Sequence, residues 1–230
     1  MEFDFSLLTS GKYHDWLLHG VAVSLELTVV SLILALPLAV LVALCRLAPA
    51  KILNGIAFAF VEAIRNVPLL AHLLFWYFGA PELLPDDIKQ WLYEGNIEFV
   101  SGVVGLTFYT SAYMAEDIRS GIRGIPKEQM EAGRAMGFGF IQTMRLVILP
   151  QALRVTIPPL ISQTLNLWKN TSIATVIGVS ELMYQAQKVE TNSFRSVEAF
   201  AFATFVYLTV SLLIAGLAAW YHRRFPVRTL

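Results

Sequence analysis

Four polar side chains, Gln163, Asn166, Lys169 and Asn170, stand inside an otherwise apolar stretch. On a helix, offsets of three, four and seven put Gln163, Asn166 and Asn170 on one face, with Lys169 beside it. Such a face supplies amide donors and acceptors and one ammonium, which can hydrogen-bond the ammonium and carboxylate of an amino acid. Polar groups inside a membrane span usually face a bundle interior or a cavity. The alternative is that the amides bond neighbouring helices while Lys169 snorkels to the outer interface. Glu62 and Arg65 stand three apart and can pair on one helix face, either as an ion pair beside Pro68 or as substrate contacts. Glu26 sits about two turns inside the first apolar stretch and is within reach of outer headgroups. His72 stands alone among leucines, which fits a packed, hydrogen-bonded histidine, and no second ligand for a metal accompanies it. No His, Asp or Ser groups converge at matching depth, so no catalytic residue is assigned and the chain is not expected to be an enzyme. Cys45 is the only cysteine, which rules out an internal disulfide or a cysteine-based metal site. The pattern GxxxxGK[ST] is missing, so no nucleotide cofactor is expected in this chain.

The elements that must hold these groups are membrane spans. The 230 residues are 56% hydrophobic and only 15% charged, against about 25% charged in a typical soluble domain; the mean hydropathy is +0.60. The first apolar stretch, 20–45, contains VAVSLELTVVSLILALPLAVLVALC. It is too long for a secretory signal, and the acidic start MEFDFS is the wrong flank for one, so it reads as a retained span. Four more follow at 52–78, 99–115, 155–177 and 199–221. Each is near the roughly 20 residues that cross a hydrocarbon core of about 30 Å as helix. Five spans put the termini on opposite sides.

Lys and Arg give the orientation, because cytoplasmic segments retain them. With the N-terminus outside, the inner segments carry eleven: Arg46 and Lys51, then Arg119, Arg123, Lys127, Arg134, Arg145 and Arg154, then Arg223, Arg224 and Arg228. The outer segments carry only Lys12, Lys89, Lys188 and Arg195, while Arg65 and Lys169 fall within spans. Pro37, Pro68, Pro158 and Pro159 interrupt spans, either as kinked packing or beside a wet cavity that satisfies freed carbonyls. The outer segment PELLPDDIKQWLYEG predicts a short interfacial helix with Trp91 and Tyr93 at headgroup depth, and Phe75 to Phe78 read as an aromatic belt. Net charge is zero, which argues against a general affinity for nucleic acid.

The inner segment 124–154 reads GIPKEQMEAGRAMGFGFIQTMRLVILPQALR. Pro126 suits a first helical turn and Gly137 the position just past a helix end, with KEQMEAGRAM between them. Ala132, Gly133 and Ala135 are small enough for another protein to approach the backbone closely. Met130, Met136, Phe138 and Phe140 are apolar in a segment facing water, which suits insertion into a partner's groove or rest on the membrane surface.

The run Glu131-Ala132-Gly133, then Gly137, then Val147-x-Leu149-Pro150 resembles the EAA motif of ATP-binding-cassette importer permeases, with Gly133 for the second alanine and Val147 for isoleucine. VEAIRNVPLLAHLLFWY (61–77) and LNLWKNTSIATVIGVSEL (165–182) resemble the polar amino-acid branch, and APELLPDDIKQW (80–91) is similar to glutamate/aspartate permease subunits. The resemblance implies an all-α membrane protein of the type I importer, MetI-like fold, with five transmembrane helices in one domain, 1–230, in the bacterial inner membrane. It implies a coupling loop that seats in a cytoplasmic ATP-binding-cassette ATPase dimer, with Glu131 and Gly137 foremost and Ala132, Gly133, Arg134, Leu149 and Pro150 around them. A second permease subunit, identical or paralogous, an external amino-acid-binding protein and membrane lipid complete the expected partners. The cargo it implies is a polar amino acid. Related cationic amino-acid permeases carry a glutamate at the position of Gln163, so a neutral side chain there, with Lys169 nearby, turns the expectation to glutamate or aspartate. Glutamine, histidine or arginine are the alternatives within the family. The rival from another class, an ion-coupled secondary transporter using Glu26 or Glu62, predicts internal repeats that the sequence lacks.

Overall fold

The computed structural model describes residues 9–226; the MEFDFS start and Arg228 lie outside the described residues. Among these there are ten α-helices and no β-strand. They are α1 (Lys12–Leu47), α2 (Lys51–Arg65), α3 (Leu69–Leu74), α4 (Asp86–Glu94), α5 (Ile97–Arg123), α6 (Lys127–Ala135), α7 (Phe140–Thr143), α8 (Leu149–Asn170), α9 (Leu182–Ser193) and α10 (Ser196–Arg224).

Helix α1 is the mast of the molecule, about 54 Å long at 1.5 Å per residue. Its buried residues include Gly20, Ser24, Thr28, Ser31, Ala35, Ala39 and Ala43. Spaced three or four apart, they form a stripe of small side chains along one face, which lets neighbouring backbones come close where the hydrophobic effect cannot drive association. Three apolar clusters sit along it. Leu17 packs with Leu182, Ala186 and Val189 of α9 and with Ala199 and Ala203 of α10. Leu27 joins Leu69 and Leu73 of α3, Val103 and Leu106 of α5, and Leu167 of α8. Ala39, Val42 and Ala43 meet Ala57 and Val61 of α2 and Met114 and Ala115 of α5.

Three helical runs are long and apolar enough to cross a membrane, Lys12–Leu47, Phe140–Ile177 and Ser196–Arg224, and a fourth if the bent α2–α3 pair counts as one. Helix α5 has the length, 27 residues, but a more polar surface. Its neighbours α1, α2, α3 and α8 cover it, so lipid does not demand an apolar exterior. All these helices run past the expected span limits, because a helix continues into polar ends that hydropathy does not mark.

One expected span needs correction. Residues 52–78 do not form a continuous helix: the axis turns by 105° between α2 and the segment that starts at Leu69. Pro68 lacks an N–H and caps α3 instead. Asn66 closes α2 by donating from Nδ2 to the Glu62 carbonyl at 2.8 Å. His72 donates from Nε2 to the Ile64 carbonyl at 3.0 Å, a bond that spans the break. By contrast, α1 runs through Pro37 and α8 through Pro158 and Pro159 without interruption. The expected short helix is present as α4, with Trp91 69% exposed and Tyr93 51% exposed.

At the N-terminal end of the mast lies a buried carboxylate. Glu181, fully buried, caps α9 by accepting from the N–H groups of Met183 (3.0 Å) and Tyr184 (2.8 Å). It also accepts from Tyr207 Oη of α10 at 2.8 Å and from Ser24 Oγ of α1 at 3.3 Å. Burial pushes this carboxyl up from the ordinary range, while its backbone donors pull it back.

Candidate functional site

Helices α5 and α8 cross closely near the segment 124–154. A Cβ on Gly121 would overlap Thr156 of α8, so glycine alone permits this approach. Above the crossing the two helices frame a cleft of about 310 Å³, lined by Tyr109, Thr110 and Tyr113 of α5 and Gln163, Asn166, Leu167 and Asn170 of α8. That volume is at the lower end of known small-molecule sites.

The structure thus brings Gln163, Asn166 and Asn170 together on one lined face, as their spacing predicts. Lys169 is exposed and is not part of the lining, since it points a third of a turn away from that face. Glu62 and Arg65 do not pair with one another. Glu62 accepts instead from Asn66 Nδ2 at 3.1 Å, at the helix break. The Arg65 guanidinium lies 5.2 Å from the Tyr113 ring centroid, a cation–π distance, and so reaches the edge of the cleft. Tyr113 Oη donates to the Arg65 carbonyl and Tyr109 Oη to Tyr113 Oη, each at 3.4 Å. Gln163 Nε2 donates to Asp117 Oδ2 at 2.9 Å.

Tyr109, Tyr113 and Asp117 are the site residues that reading the sequence missed. They recur at intervals of four on α5, a helical face that could have been seen in TFYTSAYMAED. His72 packs edge-on to Tyr109 with ring centroids 6.0 Å apart, consistent with the packed role expected of it. Glu26 lines a different cavity with His19, Asn96 and Glu98.

The segment 124–154 folds as a compact hook. Helix α6 starts after Pro126 and ends in a left-handed turn at Gly137 (φ 86°). The Phe138 N–H bonds the Gly133 carbonyl at 3.1 Å and the Gly137 N–H that of Arg134 at 2.9 Å, the paired closure of a Schellman motif. Gly133 is buried, and a Cβ there would overlap Thr143 of α7. Its small size therefore serves packing within the hook; the expectation that it lets another protein approach is corrected. Gln151 Nε2 ties α8 to Gln129 of α6 at 3.2 Å. Glu131, Ala132, Arg134 and Gly137 are exposed, as are Leu149 and Pro150. Around them Met136 is 64%, Phe140 55% and Ile141 78% exposed. A cluster of open apolar side chains beside unpaired charge has the composition of a protein-docking patch.

Residues 35–226 match the model of the family described as the binding-protein-dependent transport system inner membrane component. The chain is 39% identical to the probable glutamine ABC transporter permease protein GlnM of Bacillus subtilis, over 91% of this chain and 88% of that one. It is 34% identical to the glutamate/aspartate import permease protein GltJ of Escherichia coli, over 88% and 84%. Its fold superimposes on a chain from the crystal structure of an amino acid ABC transporter with histidines with a TM-score of 0.84 and 30% identity, covering 97% of this chain and 100% of that one.

Proposed function

This chain belongs to the family of binding-protein-dependent transport system inner membrane components, and from that premise we propose that its α5–α8 cleft passes a polar amino acid while its 124–154 hook seats an ATPase. It is a permease subunit of an amino-acid ABC importer, a transport component of the inner membrane rather than an enzyme. The observation that carries the cleft reading is the convergence of Gln163, Asn166 and Asn170 with Tyr109 and Tyr113 around one opening, with Arg65 at its edge. Such a lining matches a zwitterion: amide carbonyls for the ammonium, a guanidinium for the carboxylate.

In this reading α1, the α2–α3 pair, α5, α8 and α10 are the five spans of one domain, 1–230, with the N-terminus outside and the C-terminus in the cytoplasm. Supporting it, Arg46 at the end of α1 and Arg119 near the end of α5 both pair with Glu116, which gathers basic groups at the end that carries the hook. Glu131, Ala132, Arg134, Gly137, Leu149 and Pro150 meet the ATPase dimer, which binds ATP and Mg; Gly133 shapes the hook. A second permease, identical or paralogous, completes the pathway, an external binding protein delivers cargo and lipid surrounds the spans. ATP closes the ATPase pair, its grooves draw the two hooks together, and the spans rock between inward-facing and outward-facing states, so that ATP biases a two-state element.

Two cargo readings stand within this scheme. Glutamate or aspartate is favoured by the Arg65 cation and the outer segment 80–91, though no longer by Lys169. Glutamine is favoured by Gln163, whose Nε2 is committed to Asp117. Uptake by the assembled transporter in vesicles tests the function: it is expected to require internal ATP and to survive an uncoupler. Uptake that collapses with the ion gradient and ignores ATP would sink the proposal. For the cleft, Gln163→Glu is expected to shift preference from glutamate towards arginine about tenfold, or ~1.4 kcal/mol; an unchanged preference would remove Gln163 from the pathway.

A further inference from the structure

Asp117 lies outside the cleft lining and yet bonds its central amide. Gln163 Nε2 donates to Asp117 Oδ2 at 2.9 Å, and Asn166 Nδ2 donates to Gln163 Oε1 at 3.4 Å. The three side chains form a directed chain that begins at a carboxylate. An ionised carboxylate only accepts hydrogen bonds, whereas an amide can present either its N–H₂ or its carbonyl. Rotating Gln163 by half a turn would place its carbonyl oxygen against the Asp117 oxygen, losing one bond and adding repulsion in a partly desolvated site. Arg65 and Glu116 are charged groups within electrostatic reach of Asp117, the first favouring its charged form and the second opposing it. Gln163 is therefore held with its carbonyl towards Asn166 and the cleft.

Resting on the cleft reading above, we propose that Asp117 is a positioning residue that fixes the polarity of the Gln163–Asn166 pair and thereby makes the cleft favour cargo side chains that donate hydrogen bonds over those that only accept. A carboxamide or ammonium side chain meets an acceptor there. A carboxylate side chain meets a carbonyl oxygen that cannot turn away. The same device explains how a neutral glutamine confers direction: the selectivity belongs to the pair, with the charge one helix removed from the cargo.

Asp117→Asn is the sharp test, because asparagine has nearly the same shape and still hydrogen-bonds Gln163 but can itself rotate, which frees the polarity. The readout is the ratio of glutamine to glutamate uptake by the complete transporter with its own binding protein, alongside cargo-stimulated ATP hydrolysis. Asp117→Asn is expected to lower that ratio at least fivefold with ATP hydrolysis retained, and Asp117→Glu, which restores an acceptor-only group, to return most of it. A ratio within twofold of the parent in Asp117→Asn would overturn the inference, as would an equal loss of both uptakes with ATP hydrolysis abolished. Gln163→Leu separates the two levels of the claim. If it leaves uptake of both amino acids unchanged, the cleft reading itself is lost; if it impairs uptake while Asp117→Asn changes nothing, only the role of Asp117 is lost.

Discussion

The α5–α8 cleft and the 124–154 hook both stand apart from the apolar spans, but they are left incomplete in opposite ways. In the cleft the polar groups bond one another: Gln163 to Asp117, Asn166 to Gln163, Tyr109 to Tyr113 and Tyr113 to the Arg65 backbone. In the hook a Schellman turn closes the end of α6, and what remains open is largely apolar, with Met136, Phe140 and Ile141 exposed. A pre-bonded polar cleft suits a small polar molecule that exchanges for existing bonds and leaves again. An open apolar patch on a rigid frame suits a lasting protein contact, where covering the patch supplies the free energy.

This contrast predicts unequal sensitivity. The largest effect is expected from Glu131→Lys, which reverses an exposed charge at the centre of the patch. Co-purification with the ATPase should weaken about 30-fold or more, the lower end of the cost of a lost interfacial charge pair, while cargo binding in the cleft is spared. Intact assembly in this variant would remove the docking role from α6. Next comes Gly133→Ala, whose methyl has no room beside Thr143. A loss of about 1–3 kcal/mol is expected, read as a lower melting temperature of the detergent-solubilised chain, with Thr143→Ala restoring most of it. If the single change leaves stability and coupling alone, the hook is not the packed frame described. Tyr113→Phe should be mildest: it removes two long hydrogen bonds, at about 0.5 kcal/mol each, or ~5-fold in uptake KM with assembly unchanged. A complete block would show that the cleft is less exchangeable than its internal bonds imply.

The features that a single element dictates were readable from residues alone. Apolar runs mark spans because hydrocarbon tolerates little else, and Gly137 marks the end of α6 because a left-handed turn favours glycine. The common face of Gln163, Asn166 and Asn170 follows from helical period. Features made by two elements were not readable. Asp117 meets Gln163 across 46 residues only because α5 and α8 cross at Gly121. The small size of Gly133 is taken up by Thr143, a neighbour ten residues away that the sequence does not mark. Pro68 broke its span while Pro37, Pro158 and Pro159 did not, and the difference lies in the bonds of Asn66 and His72 that stabilise the bend. Lys169 stands beside the Gln163–Asn166–Asn170 face, as its offset implies, and outside the cleft lining.

Glu181 adds a constraint on how such a molecule can move. One carboxylate holds α9 by its first turn, α10 through Tyr207 and α1 through Ser24, so these three helices are pinned to one another at a single buried point. Separating any one of them from the other two would leave a buried carboxylate short of partners, a cost that favours their moving as a group.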